Sequence, residues 1–206
     1  MTTAQGHCWS CGAARSLSDP LCLACGKVQP PPPAGTQIDK FAILGLSQTF
    51  DIEEAPISES QRALSRKLHP DKFARASPRE RRFALEQTTQ LNDAVRTLKD
   101  PVTRAQHLLS LHGVDATGET STEVPQAFLE EALADRERLM DAKLEGGPAE
   151  VAKLGDEQRK KRDASLHDLS TALREQRWDA AALLVQRLRY HARFLDDVEG
   201  RERGFD

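Results

Sequence analysis

The residues best equipped for chemistry are four cysteines near the start of the chain and a His-Pro-Asp triplet at residues 69–71. Cys8, Cys11, Cys22 and Cys25 form two Cys-x-x-Cys pairs, "CWSCG" and "CLACG", with ten residues between them. That spacing matches the knuckles of a four-thiolate zinc site. The glycine closing each pair lets the chain turn tightly enough for backbone amides to approach sulfur. Four thiolates complete the coordination of the ion, so the expected zinc is structural rather than catalytic. Two disulfides, an iron–sulfur cluster or a mononuclear iron site are the alternatives, although nothing in the sequence points to an oxidising compartment. His7 adjoins the set and reads as a bystander.

The triplet lies in "RKLHPDKF", residues 66–73. A basic stretch that reads as helix is cut there, because Pro70 disfavours helical backbone at His69 and has no amide hydrogen to donate. The corner offers an imidazole and a carboxylate beside cationic side chains. A plain helix end with a Pro-Asp turn would look the same. Catalysis is not indicated, because no serine or cysteine nucleophile is patterned beside His69 and Asp71.

Around these groups lie 206 residues, of which 38% are apolar and 30% charged, with a formal net charge of −3. A global nucleic-acid-binding field is not evident. No apolar run approaches a membrane span, and "MTTAQGHCWSC" lacks the basic-then-apolar order of a secretory signal. The expected location is the cytoplasm, or the mitochondrial matrix for a processed organellar form.

Several elements must position these groups. Residues 1–29 form the knuckle, whose folding free energy the metal would supply. "QPPPPAG" (29–35) marks a Pro-rich linker, residues 30–36, expected to limit contact between the knuckle and the helices beyond it. "FAILGL" (41–46) is a short helix stopping near Gly45, and a second helix runs from about Ser58 to Leu68. Residues 58–75 hold five basic and two acidic side chains, a local net of +3 that could be simply a solvated face. "SPRE" (77–80) announces a third helix, with Ser77 as cap, Pro78 in first position and Glu80 closing a capping box. Its apolar stripe is Ala84, Thr88, Leu91, Val95 and Leu98. Asp100-Pro101 opens a further helix ending at Gly113. The second and third helices make an antiparallel hairpin joined by the His69-Pro70-Asp71 loop. Residues 114–124 read as a connector. Residues 125–206 should form an antiparallel three-helix bundle with helices over about 125–144, 148–175 and 178–199. Leu129, Leu133, Met140 and Leu144 line the first helix, and Ala182, Val185, Leu188, Ala192 and Leu195 line the third. The fold class is all-α.

An "FxxLGL" helix, a basic helix, "HPDKF" and a helix carrying "LNDAVRTLKDP" together resemble a J-domain (residues 37–113). With the continuation "VTRAQHLLSLHG" and a "FLEEALADRERL" helix, the sequence resembles the HscB family, J-type co-chaperones of iron–sulfur cluster assembly. Cysteine-bearing members of that family also carry a leading metal knuckle. The resemblance implies an adaptor that hydrolyses nothing itself. It would stimulate the ATPase of a DnaK-type chaperone (HscA-like or a mitochondrial equivalent) and hold an IscU-type scaffold on its carboxyl-terminal bundle. The chaperone would meet His69, Pro70 and Asp71, steered by Arg62, Arg66, Lys67 and Lys72. The scaffold would meet Leu129, Leu133 and Tyr190, flanked by Glu137 and Asp141. Two positions depart from the family pattern: Glu130 replaces an expected methionine, and Ala134 an expected acidic group.

Leu129 and Leu133 could equally be bundle core, whereas Tyr190 lies off its helix's core stripe and reads as surface. Two other functions stay open. A general J-protein would present unfolded clients instead of a folded scaffold. A zinc-ribbon nucleic-acid binder would use the knuckle and Arg159-Lys160-Lys161-Arg162. Against the latter, residues 125–206 carry 18 acidic and 15 basic side chains, so the quartet reads as one solvated helical turn and no nucleic-acid partner is expected.

Overall fold

The computed structural model describes residues 5–33, 35–116 and 125–201. The chain divides into two compact units, Met1–His107 and Leu108–Asp206.

The first unit opens with two antiparallel three-residue strands, β1 (Gln5–His7) and β2 (Ala14–Ser16). A single bridge between Leu21 and Val28 repeats the arrangement around the second cysteine pair. Each knuckle closes in the same way. The Gly12 amide donates to the Cys8 carbonyl and the Gly26 amide to the Cys22 carbonyl, at 3.0 and 2.8 Å. Both glycines have φ near +70°, a backbone conformation that side chains disfavour.

Helix α1 (Lys40–Leu44) is capped by Asp39 and ends at Gly45. Helix α2 (Glu54–Leu68) starts one turn earlier than its apolar pattern predicts. Pro56 is harmless there, because first-turn amides have no helical acceptor to lose. A single helical turn, α3 (Pro70–Phe73), occupies the corner after it. Helix α4 (Pro78–Lys99) has the full capping box at Ser77 and Glu80, and Asp100 accepts the Thr103 amide at the start of α5 (Pro101–Leu111). The hairpin core joins Phe41, Ile43 and Leu44 of α1, Ile57 and Leu68 of α2, and Leu91, Ala94, Val95 and Leu98 of α4. Buried Arg104 ties it shut: its guanidinium donates to the carbonyls of Leu98, Phe50 and Ile52 at 2.6 to 3.2 Å.

The Pro-rich segment does not keep the knuckle apart. Lys27 pairs with Glu80 of α4 at 2.7 Å, the Gln87 side chain donates to the Gln29 carbonyl at 3.1 Å, and the Trp9 ring meets Phe83 edge-on. Val28, Gln29 and Phe83 are buried as a result.

The second unit is built on α6 (Gln126–Asp141), a π-helical turn over Ala142–Gly146, α7 (Gly147–Arg174) and α8 (Trp178–Glu199). The predicted break at "EGGP" is realised at Gly147, whose φ of 73° and ψ of 179° suit glycine alone. Ala182, Val185, Leu188 and Leu195 of α8 are buried as their spacing predicts, and Ala192 is half-buried. The stripe of α6 faces outward, as the scaffold reading of Leu129 and Leu133 requires and contrary to the core-lining expectation for Met140 and Leu144. Leu129, Leu133, Met140 and Leu144 are 54%, 61%, 58% and 78% exposed, while Phe128, Asp135, Leu139 and Ala142 face inward. The predicted connector falls largely on residues 117–124, which lie outside the described residues. No helix among the described residues is long and apolar enough to cross a membrane.

Candidate functional site

The four cysteine sulfurs lie within 4.8 Å of one another, with Cys8–Cys25 at 3.6 Å and Cys11–Cys22 at 3.7 Å. A disulfide would need about 2.0 Å. A tetrahedron of metal–sulfur bonds of about 2.3 Å has sulfur–sulfur edges of about 3.8 Å, so the four thiols fit a tetrahedrally bound metal ion. Burial works against ionisation of Cys8, but amide hydrogen bonds from Cys11 and Ser10 bring its thiol down to about 6. At Cys25 an amide hydrogen bond from Lys27 acts in the same direction, yet burial and the neighbouring sulfurs push the thiol up to about 12. Cys8 thus gives up its proton readily, whereas Cys25 keeps one that a bound metal ion would displace. Gln29 was not singled out by the sequence pattern. Its side-chain amide donates to Cys8 Sγ at 3.3 Å. His7 is exposed and stands outside the sulfur cluster.

The His-Pro-Asp corner is more ordered than a loop. Pro70 opens α3, and His69 caps it by accepting the Asp71 amide at Nδ1, at 3.3 Å. An imidazole accepting at Nδ1 carries its proton on Nε2, which leaves that edge as a donor. The Asp71 carboxylate is 3.5 Å from the same Nδ1 and almost wholly exposed. Arg62, Arg66, Lys67 and Lys72 are all solvent-accessible, and none takes an ion-pair partner among the described residues. The basic quartet of α7 contrasts with them. Arg159 pairs with Asp156 and Glu199, Lys161 with Glu131 and Asp135, and Arg162 with Asp163. Three of its four charges are thus already met by carboxylates.

On α6, Leu129 and Leu133 are one turn apart, and Glu137 and Asp141 stand exposed further along the same helix. Met140 and Leu144 extend the apolar stripe toward and past the helix end, and the sequence pattern had placed them inside the bundle. Two competing stripes run along this helix, each interrupted by one charge. Leu129, Leu133, Met140 and Leu144 enclose Arg136; Phe128, Leu139 and Ala142 enclose Asp135. The second stripe is buried because Asp135 finds Lys161 at 2.7 Å, and a buried carboxylate is tolerable only when paired. Tyr190 is half-buried, not a free surface residue. Its hydroxyl donates to the Ala132 carbonyl at 2.9 Å and its ring meets Phe128 edge-on at 5.5 Å. Burial and the nearby carboxylates of Asp135 and Glu131 push this phenol up to about 12, so it remains a donor. Tyr190 therefore holds α8 against α6 beside the exposed leucines.

Behind that contact lies a buried polar trio that the apolar pattern did not reveal. His191 meets Gln158 at 2.8 Å through Nδ1 and Ser165 at 3.3 Å through Nε2.

Residues 39–107 match the DnaJ domain, and residues 124–199 match the HSCB C-terminal oligomerisation domain. A co-chaperone protein HscB homolog of Shewanella sp. (strain ANA-3) is 42% identical over 110 residues, which span 53% of this chain and 63% of that relative. The homolog of Shewanella woodyi is 33% identical over 163 residues, spanning 77% of this chain and 94% of its own length. The crystal structure of human co-chaperone protein HscB matches with a TM-score of 0.82 at 26% identity, covering 95% of this chain and 98% of that one.

Proposed function

The chain belongs to the HscB co-chaperone family, and from that premise we propose that it couples an IscU-type iron–sulfur scaffold to a DnaK/HscA-type chaperone. The observation that carries this reading is that each unit carries a differently built surface. The first unit has a stiff His-Pro-Asp corner beside four cations without ion-pair partners among the described residues. The second has an apolar helix face with acidic neighbours. Unpaired cations attract an acidic chaperone surface at long range, and short directional contacts at the corner then fix register. Asp71 is the acceptor in that contact, and His69 supplies the Nε2 donor while holding the turn. Leu129 and Leu133 anchor the scaffold, with Glu137 and Asp141 at the rim. The tetrad holds one structural zinc, whose full coordination leaves no position for a substrate. The division at residues 1–29, 37–113 and 125–206 then separates metal, chaperone and scaffold functions. Neutralised charges on α7 argue against the nucleic-acid reading.

The test is stimulation of an HscA-type ATPase by the purified chain. His69→Gln and Asp71→Asn keep side-chain size and lie at exposed positions, so both variants should stay helical and lose stimulation. Undiminished stimulation by either one removes the corner from the chaperone contact and overturns this reading. A general adaptor for unfolded clients is separated from the scaffold reading by offering denatured peptide against folded scaffold. Preferential binding of peptide favours the general adaptor.

A further inference from the structure

Gln29 is a polar side chain with 0% exposure at the end of the second knuckle. A buried amide needs hydrogen-bond partners, and this one makes them on its nitrogen side only, Oε1 having none among the described residues. Here Nε2 donates both to Cys8 Sγ at 3.3 Å and to the Lys27 carbonyl at 2.8 Å. The Gln29 backbone carbonyl in turn accepts from Nε2 of Gln87, itself buried on α4. Two hydrogen bonds and one residue therefore join a sulfur of the tetrad to the long helix of the hairpin.

Two further contacts run beside this path. Lys27, two residues after Cys25, pairs with Glu80, the residue that closes the α4 capping box. Trp9, between Cys8 and Cys11, donates to the Val28 carbonyl, meets Phe83 edge-on and lies 4.4 Å beneath the Arg79 guanidinium. Each of these landing points on α4 falls between residues 79 and 87, in its first three turns, and each departure point lies within two residues of a cysteine or bonds to one. A knuckle this small has almost no apolar core, so without metal its docking face loses its shape.

We propose that the tetrad is a metal-dependent buttress of α4, with Gln29 as the positioning residue through which metal occupancy is transmitted to that helix. Metal fixes Cys8, Cys8 fixes Gln29, and the face made by Trp9, Lys27 and Gln29 holds the amino-terminal turns of α4. Loss of the metal loosens those turns. The coupling is reciprocal: weakening the α4 contact must weaken metal binding by the same factor by which metal strengthens the contact. This inference rests on the reading of the tetrad as a metal site and not on the chaperone reading.

The experiment measures zinc affinity of the full chain by competition with a chromogenic chelator, together with amide hydrogen exchange with and without zinc. Gln29→Ala removes the bond to sulfur and should weaken zinc binding roughly 10–100-fold, as loss of an outer-sphere partner does. Gln87→Ala and Glu80→Gln leave all four ligands and Gln29 intact, and glutamine preserves the capping box. Each should weaken zinc binding about 5-fold or more. In the unaltered chain, removing zinc should speed exchange over residues 80–90 and leave α7 unchanged as an internal reference. Zinc bound at one equivalent, with both α4 variants within about 2-fold of the unaltered chain and exchange over residues 80–90 unaffected by metal, overturns the coupling. Failure of the unaltered chain to bind zinc overturns the metal reading itself and the coupling with it. ATPase stimulation plays no part in the measurement, so neither result is confused with failure of the chaperone assignment.

Discussion

Leu129→Ala with Leu133→Ala separates a binding face from a core face on the same helix. Fully burying a leucine side chain is worth roughly 1.5–3 kcal/mol. Leu129 and Leu133 are 54% and 61% exposed, so more than half of that quantity remains available in the free protein. A partner covering both could gain about 1–1.5 kcal/mol from each, some 2–3 kcal/mol together. Losing it corresponds to a roughly 30–150-fold weaker scaffold complex. The same truncations should barely move the thermal midpoint, because they leave no cavity. Leu139, 3% exposed and packed with Ala142, Leu154 and Phe194, is the internal control. Leu139→Ala should cost about 2–5 kcal/mol of stability. At roughly 4–8 °C per kcal/mol for a unit of this size, the midpoint should fall by about 8 °C or more. Tyr190 is left out of the binding test because its bond to Ala132 holds two helices together. Calorimetric titration of IscU-type scaffold, paired with thermal melts, reads both quantities. A stable double variant with undiminished affinity would show that the scaffold binds elsewhere, and a large midpoint loss would show that the two leucines are structural.

Two other outcomes concern titrating groups. The protein purified without added metal should contain one zinc per chain, with affinity falling as pH falls, because protons compete for the thiols. Elemental analysis giving less than about half an equivalent, with the cysteines paired as disulfides, refutes the site. His191 is held below its ordinary value by burial first, then by Lys161 and Arg187, with Glu131 and Asp135 opposing. The folded state therefore resists a proton that the unfolded chain accepts near pH 6.5, so stability is lost as pH falls through that value. Titration of the His191 ring by NMR at or above 6.5 would contradict this.

What was legible came from local rules. Ser77, Pro78 and Glu80 dictate a helix start through hydrogen bonds that span three residues, so the capping box formed as read. Cysteine spacing fixes a tetrad because a knuckle closes within a few residues. The face of α6 stayed open at Leu129 and Leu133 and was misread at Met140 and Leu144 because its two stripes are almost equally apolar, and the choice between them is made by Lys161, 26 residues away. Gln29 was illegible for a related reason. A glutamine at the end of a knuckle looks like a solvated residue until a helix 58 residues further along supplies Gln87. The contact between knuckle and hairpin was also hidden, because prolines indicate a stiff segment without indicating where its ends are held.

The two basic segments show how charge becomes informative only with its partners in view. Residues 58–75 and the α7 quartet look alike as sequence. On α7 the carboxylates of Asp156, Glu199, Glu131, Asp135 and Asp163 meet three of the four cations, and Lys161 commits its charge to Asp135, the acid that the α6 core must bury. Its role there is to permit a fold. Arg62, Arg66 and Lys67 of α2 and Lys72 of α3 have no such obligation; even Glu59, one turn before Arg62, makes no ion pair with it among the described residues. These cations repel one another, with only the dipole at the end of α2 to offset that for Arg66 and Lys67. Their field is available to a partner, and it lies beside a corner that His69 has already stiffened.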